Sequence, residues 1–106
     1  MKATQGVKLD TALKDCTKAI ELGDSPAAAL DSRALVYFKL GRLDDARADL
    51  DAALDLHPNL AASLYLRGVV RRRQGAAATG DADLDGARFF APRIDEDYAG
   101  YGVKPS

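Results

Sequence analysis

The chain has 106 residues, enough for one domain and short for two independent cores. Its 15 Lys and Arg balance 16 Asp and Glu, a net charge of −1, which excludes a global field that would gather nucleic acid or an acidic membrane surface. A single cysteine excludes a disulfide framework, no apolar run approaches the ~20 residues of a membrane span, and the opening MKATQGVKLD lacks the apolar core of a secretory leader.

Met1 to Lys8 reads as a polar, frayed lead-in. From Leu9 to Leu22 the residues Leu9, Ala12, Leu13, Cys16, Ala19, Ile20 and Leu22 recur at spacings of three and four, one face of a helix that Gly23 ends. Ser25 and Pro26 then supply an N-cap and a first-turn proline. A second helix is predicted over Pro26 to Leu40, with Leu30, Ala34, Tyr37 and Leu40 inward and Gly41 as the turn. The third runs from Leu43 to Leu56, with Leu43, Ala46, Leu50, Ala53, Leu54 and Leu56 on one stripe; Pro58 stops it and Asn59 caps its successor. A fourth covers Leu60 to Gln74 and ends at Gly75. The fifth, Ala77 to Phe90, is weaker, because Gly80 and Gly86 each cost about 1 kcal/mol in a helix interior. Pro92 closes it, Ile94, Tyr98 and Tyr101 share a face if a short helix follows, and after Gly102 the chain is expected to be extended.

Much of this recurs with one period. Leu30, Ala34, Gly41, Ala53 and Pro58 return as Leu64, Gly68, Gly75, Ala87 and Pro92, each 34 residues later (92 − 58 = 34). Leu9, Asp10, Ala12, Ala19 and Leu22 likewise return as Leu43, Asp44, Ala46, Ala53 and Leu56. The period is that of a helix–turn–helix solenoid. It divides the chain into a half repeat at 9–24, a full repeat at 27–60, a degenerate repeat at 61–94 and a tail at 95–106.

At these positions the stretch resembles tetratricopeptide repeats. That pattern places a large apolar residue at Leu30 and Leu64, a small one at Ala34 and Gly68, and an aromatic at Tyr37. It continues with a small residue at Ala46 and Gly80, a large one at Leu50 and Leu84, alanine at Ala53 and Ala87, and proline at Pro58 and Pro92. Closely crossing helices admit only Gly or Ala at the contact, and the large residues fill the gaps beside it. The departures are Arg33 where leucine is usual, Arg71 in place of the aromatic, and Asp24 in place of the first proline. The ending IDEDYAGYGVKP also resembles the tail of bacterial proteins of this kind. The resemblance implies an all-α, right-handed superhelix of about two and a half repeats, with five main helices and a short C-terminal capping segment.

Few residues invite chemistry. The run Asp81-Ala-Asp83-Leu-Asp85-Gly86 opens like a calcium loop, but Pro92 falls where the closing bidentate carboxylate belongs. A solenoid helix with outward aspartates is the expectation. Arg71, Arg72 and Arg73, with Arg67 one turn earlier, form the only concentrated charge and read as a solvated helix end. His57, the only histidine, reads as a helix C-cap, and Cys16 as a buried small hydrophobe. There is no serine elbow and no phosphate loop, so neither catalysis, a cofactor nor a metal is expected.

The resemblance further implies that the first helix of each repeat lines a concave groove holding extended peptides. The groove positions are then Ala28, Asp31, Ser32, Leu35, Phe38 and Lys39 on one helix, and Ala62, Tyr65, Leu66, Val69, Arg72 and Arg73 on the next. Leu35, Phe38, Leu66 and Val69 lie off the inferred packing stripe, as an exposed interaction surface would, and Lys39, Arg72 and Arg73 gather at one end. The alternative is that these residues pack on neighbouring repeats, or on the tail through Tyr98 and Tyr101. Asp31, Leu35 and Leu66 stand where chaperone-binding members carry a carboxylate clamp, so that clamp is not expected. The expected function is a scaffold for a protein or peptide bearing an acidic group, without nucleic acid or membrane. The competing expectation is a structural or oligomerising segment of a longer protein. The expected compartment is the cytoplasm, or the periplasm if the parent carries an upstream signal peptide.

Overall fold

The computed structural model describes residues 2–23 and 26–105, with side chains from residue 9 onward. Six helices follow in tandem: α1 (Lys2–Leu22), α2 (Pro26–Lys39), α3 (Leu43–Leu56), α4 (Ala61–Arg73), α5 (Ala77–Phe90) and α6 (Ile94–Ala99). Each packs on its chain neighbours, α4 on α5 most extensively and α2 on α3 next, so the unit is the antiparallel hairpin. α1 starts well before the expected Leu9: Lys2 to Lys8 holds no proline, and one glycine does not halt a helix of otherwise permitted residues. The cap expected at Ser25 and the departure at Asp24 lie outside the described residues.

The 34-residue punctuation has one physical form. At the end of α2 the Gly41 amide donates to the Phe38 carbonyl (3.0 Å) and the Arg42 amide to that of Tyr37 (2.8 Å), closing a Schellman motif with Gly41 at φ 79°. Gly75 (φ 89°) ends α4 with the same pair, onto Arg72 and Arg71. The motif appears a third time after α6, where Gly102 (φ 77°) donates to Ala99 (3.0 Å) and Val103 to Tyr98 (3.0 Å). Leu30, Leu64 and Tyr98 are spaced by 34, and so are Ala34, Gly68 and Gly102. α6 is therefore the opening of another first helix, halted where Gly68 would have continued it.

The small residues sit where hairpins cross. Ala34, Ala46, Ala53 and Ala87 are fully buried, and the large partners Leu50 and Leu84 fill the space beside them. At the α4–α5 crossing a Cβ on Gly68 would stand 2.7 Å from the Gly80 carbonyl oxygen, and a Cβ on Gly80 equally close to that of Gly68. The glycine that weakens α5 locally is thus what lets the two backbones touch.

Several expectations are corrected. Leu56 is exposed (52%), because it closes α3 beyond the reach of α2 and α4. Asn59 does not cap α4; Leu60 holds the N-cap position without a side-chain bond. Asp83 is buried on α5 and not solvated, for an electrostatic reason: Arg67 and Arg71 of α4 both bind it. Ile94 and Tyr98 are buried as a pair, but Tyr101 stays 58% exposed, its ring meeting Tyr98 edge-on at 5.7 Å.

Candidate functional site

The first helices α2 and α4, together with α6, present one face of the array. Tyr65, Leu66 and Val69, expected to line an open groove, are at most 1% exposed. They share an apolar cluster with Ile94, Tyr98 and Val103, and Leu35 and Phe38 pack half-buried against it. Of the two expectations for these residues, Leu66 and Val69 take the packed one, while Leu35 and Phe38 are half-buried. α6 and the segment after it cover α4, because three apolar side chains there, Ile94, Tyr98 and Val103, have no other core to enter.

The tyrosines close this cover. The Tyr65 and Tyr98 rings stack with centroids 4.8 Å apart. The Tyr98 hydroxyl donates to the Ala62 carbonyl (2.9 Å) and the Tyr65 hydroxyl to the Asp95 carboxylate (3.0 Å). Burial, then the bond to Asp95, pushes the Tyr65 phenol up to about 12. Burial also drives the Tyr98 phenol well above its ordinary value, with the Asp31 carboxylate adding to it. Asp95 itself lies below the usual carboxylate range, held there first by hydrogen bonds from Arg88.

The basic end is also engaged. The Lys39 ammonium donates to the Tyr101 carbonyl (3.0 Å), Arg72 Nε to that of Pro105 (3.2 Å) and Arg73 Nη2 to that of Lys104 (3.5 Å). Arg72 also pairs with Asp81, and the Arg73 guanidinium lies over the Phe38 ring, 4.8 Å from its centroid. Arg71 turns away to Asp83 (2.9 Å). The arginine run expected to be solvated instead binds α5 and the chain's own final described residues.

What stays open lies toward the start of α2. A cavity of about 500 Å³ is lined by Asp31, Ser32, Leu35, Ala62, Tyr98 and Tyr101, between α2 and α6. Asp31 and Ser32 also border a second depression of about 670 Å³ that reaches Ala28, His57 and Leu60. Burial raises the Asp31 carboxyl above its ordinary value, and the hydrogen bond donated by Ser63 (2.8 Å) partly opposes this. The expected groove set is thus split. Asp31, Ser32 and Leu35 face open space; Tyr65, Leu66 and Val69 are core; Lys39, Arg72 and Arg73 hold main-chain carbonyls.

The other singled-out residues take structural places. The calcium-like run lies inside α5. His57 follows α3 as its C-cap, its amide donating to Ala53 (2.9 Å). Cys16 is half-buried, and desolvation raises its thiol pKa, which disfavours the reactive thiolate. Among the described residues no group of three His, Cys, Asp or Glu side chains converges as metal ligands. No described helix is long and apolar enough to cross a membrane.

Sequence reasoning offered a cover by the tail through Tyr98 as an alternative but missed Val103, its second buried anchor. The available signal was Tyr98, one period beyond Leu64.

Antiparallel hairpins in tandem, with small residues at the crossings and a 34-residue punctuation, define the class: an all-α solenoid of helical repeats. The family model for the TPR repeat matches residues 34–75, from within α2 through α3 to the end of α4. Over residues 34–75 the chain carries tetratricopeptide repeat sequence. Repeats of this family generally mediate protein–protein interaction. No curated protein matches the chain.

Proposed function

We propose that the protein is a non-catalytic scaffold that binds a protein or peptide on the face formed by α2, α4 and α6. The observation that carries this reading is the cavity of about 500 Å³ between α2 and α6, where Leu35 and the Tyr98 and Tyr101 rings surround the polar Asp31 and Ser32. Apolar walls with a few convergent polar groups are the usual form of a recognition site. The wall is built on packed helices and so is preorganised, which lowers the ordering cost of binding.

The test is to select peptides from a random display library on the full chain and map their binding by amide chemical shifts. Shifts at Ser32, Leu35 and Ala62 are expected. Ser32→Arg at the mouth should weaken binding at least tenfold, while Asp55→Arg, exposed on α3, leaves it unchanged. Shifts confined to α3 and α5 would sink the reading. A mass that rises with concentration in the absence of peptide would point instead to a self-associating structural segment.

A further inference from the structure

Residues 101–105 lie on the concave face in the manner of a bound peptide. Lys39, Arg72 (which also pairs with Asp81 of α5) and Arg73 each donate to a main-chain carbonyl of the segment, those of Tyr101, Pro105 and Lys104 respectively. Such contacts are indifferent to side-chain identity. Within the segment only Val103 is buried, at 1% exposure, in the cluster that holds Leu66, Val69 and Val70. One aliphatic anchor flanked by main-chain contacts is the grammar of extended-peptide recognition.

Two of the three cations meet only neutral groups among the described residues. Among the described residues neither Lys39 nor Arg73 meets a carboxylate; each is satisfied by a neutral carbonyl, and Arg73 also by the Phe38 ring. These bonds already have an ionised donor, and an ionised acceptor would add the Coulomb attraction of a full ion pair. A chain that keeps the aliphatic anchor and places Asp or Glu beside it would make the same main-chain bonds and add two ion pairs. The segment joins α6 through the turn at Gly102, so its release costs that turn and the hydrogen bond from the Val103 amide to Tyr98, while the helix hydrogen bonds of α6 itself remain.

We propose that the surface beneath residues 101–105 is a binding site for an extended acidic peptide with one aliphatic anchor, and that this segment is its built-in competitor. The inference rests on the peptide-binding reading above and names the partner's chemistry at a second part of the same face. Tethering gives the segment an effective concentration in the millimolar range. The apparent affinity for a partner is therefore reduced by the fraction of molecules in which the site is open.

The probe is a fluorescein-labelled peptide, Gly-Tyr-Asp-Val-Glu-Pro-Asp, with a second in which Asn and Gln replace the acids. Binding to the full chain is read by fluorescence anisotropy. Gly102→Ala is the key variant. A Cβ there meets no atom within 4 Å, so its effect is confined to strain at φ 77°, and the loosened segment should bind the acidic probe about tenfold tighter than wild type. Val103→Asn, which removes the apolar anchor, should act in the same direction. Adding Arg73→Glu to Gly102→Ala should abolish the gain, and the neutral probe should bind at least fivefold more weakly than the acidic one.

Equal affinity for wild type and Gly102→Ala would overturn the proposal, as would an unchanged affinity on adding Arg73→Glu. Dimerisation of Gly102→Ala without probe binding would overturn it in favour of a second copy as occupant. Loss of the folded state in both tail variants would show the segment to be integral core and not a removable occupant, which also overturns it. Probe-induced shifts at Ser32 and Leu35 with none at Arg72 and Arg73 would overturn this inference while leaving the broader reading intact.

Discussion

Arg33 departs from the leucine usual at its position, and the facing helix supplies the reason. Its guanidinium forks onto the Asp49 carboxylate of α3 with both contacts at 2.7 Å. One period later Arg67 forks onto Asp83 of α5 at 2.9 Å, and Arg71 joins it. Asp49 and Asp83 are each only 6% exposed, so these pairs are far from solvated surface bridges. Breaking such a pair strands a desolvated charge, which costs about 3 kcal/mol. Asp83→Ala should lower unfolding stability by about that amount in urea titration, whereas exposed Asp55→Ala should stay within about 0.5 kcal/mol. A midpoint unmoved by Asp83→Ala would mean the pairs behave like surface bridges. Arg33 was legible in sequence only as an exception. An ion pair between helices needs the facing position, and nothing local to residue 33 specifies residue 49.

At the scale of the element, α5 shows how one residue type carries two meanings. Gly80 and Gly86 weaken the helix equally by intrinsic propensity. In the packed hairpin they differ: a Cβ on Gly80 collides with the Gly68 backbone, while one on Gly86 meets only a Leu64 methyl at an ordinary 3.6 Å. Gly86→Ala should therefore stabilise the protein by about 0.5–1 kcal/mol, and Gly80→Ala should destabilise it by about 1–3 kcal/mol. Thermal melts of the two variants should move in opposite directions. Parallel shifts would mean the α4–α5 crossing is looser than drawn. Propensity is a local sum and is readable from the sequence; collision depends on how near the second backbone comes.

For the whole molecule the decisive event is the closure of the concave face by α6 and residues 101–105. The closure contains two buried phenols, Tyr65 and Tyr98, whose ionisation is raised above the ordinary value near 10. A folded-state pKa above the unfolded one means the native protein holds these protons longer. The stability they contribute is complete below about pH 10 and is lost as the pH rises beyond it. The melting temperature should fall from pH 9.5 to pH 11 more steeply in wild type than in Tyr98→Phe. The variant itself should start about 1 kcal/mol lower, having lost the hydrogen bond that Tyr98 donates to the Ala62 carbonyl. Identical pH profiles would place the Tyr98 phenol in solvent.

The sequence by itself determined what is local or strictly periodic. The helix stops at Gly23, Gly41 and Gly75, the small residues at Ala34, Ala46, Gly68 and Gly80, and the family followed from 34-residue spacing, because turn geometry and helix-crossing distance act on single positions. Which face remained free was decided only by the tertiary structure. Tyr65, Leu66 and Val69 read equally well as groove or as core, since an apolar side chain off the packing stripe needs only some cover, and its own position does not say what. The cover came from Tyr98 and Val103, more than thirty residues further along the chain. Burying them together with α4 left the α2 side of the face, at Asp31, Ser32 and Leu35, lining an open cavity.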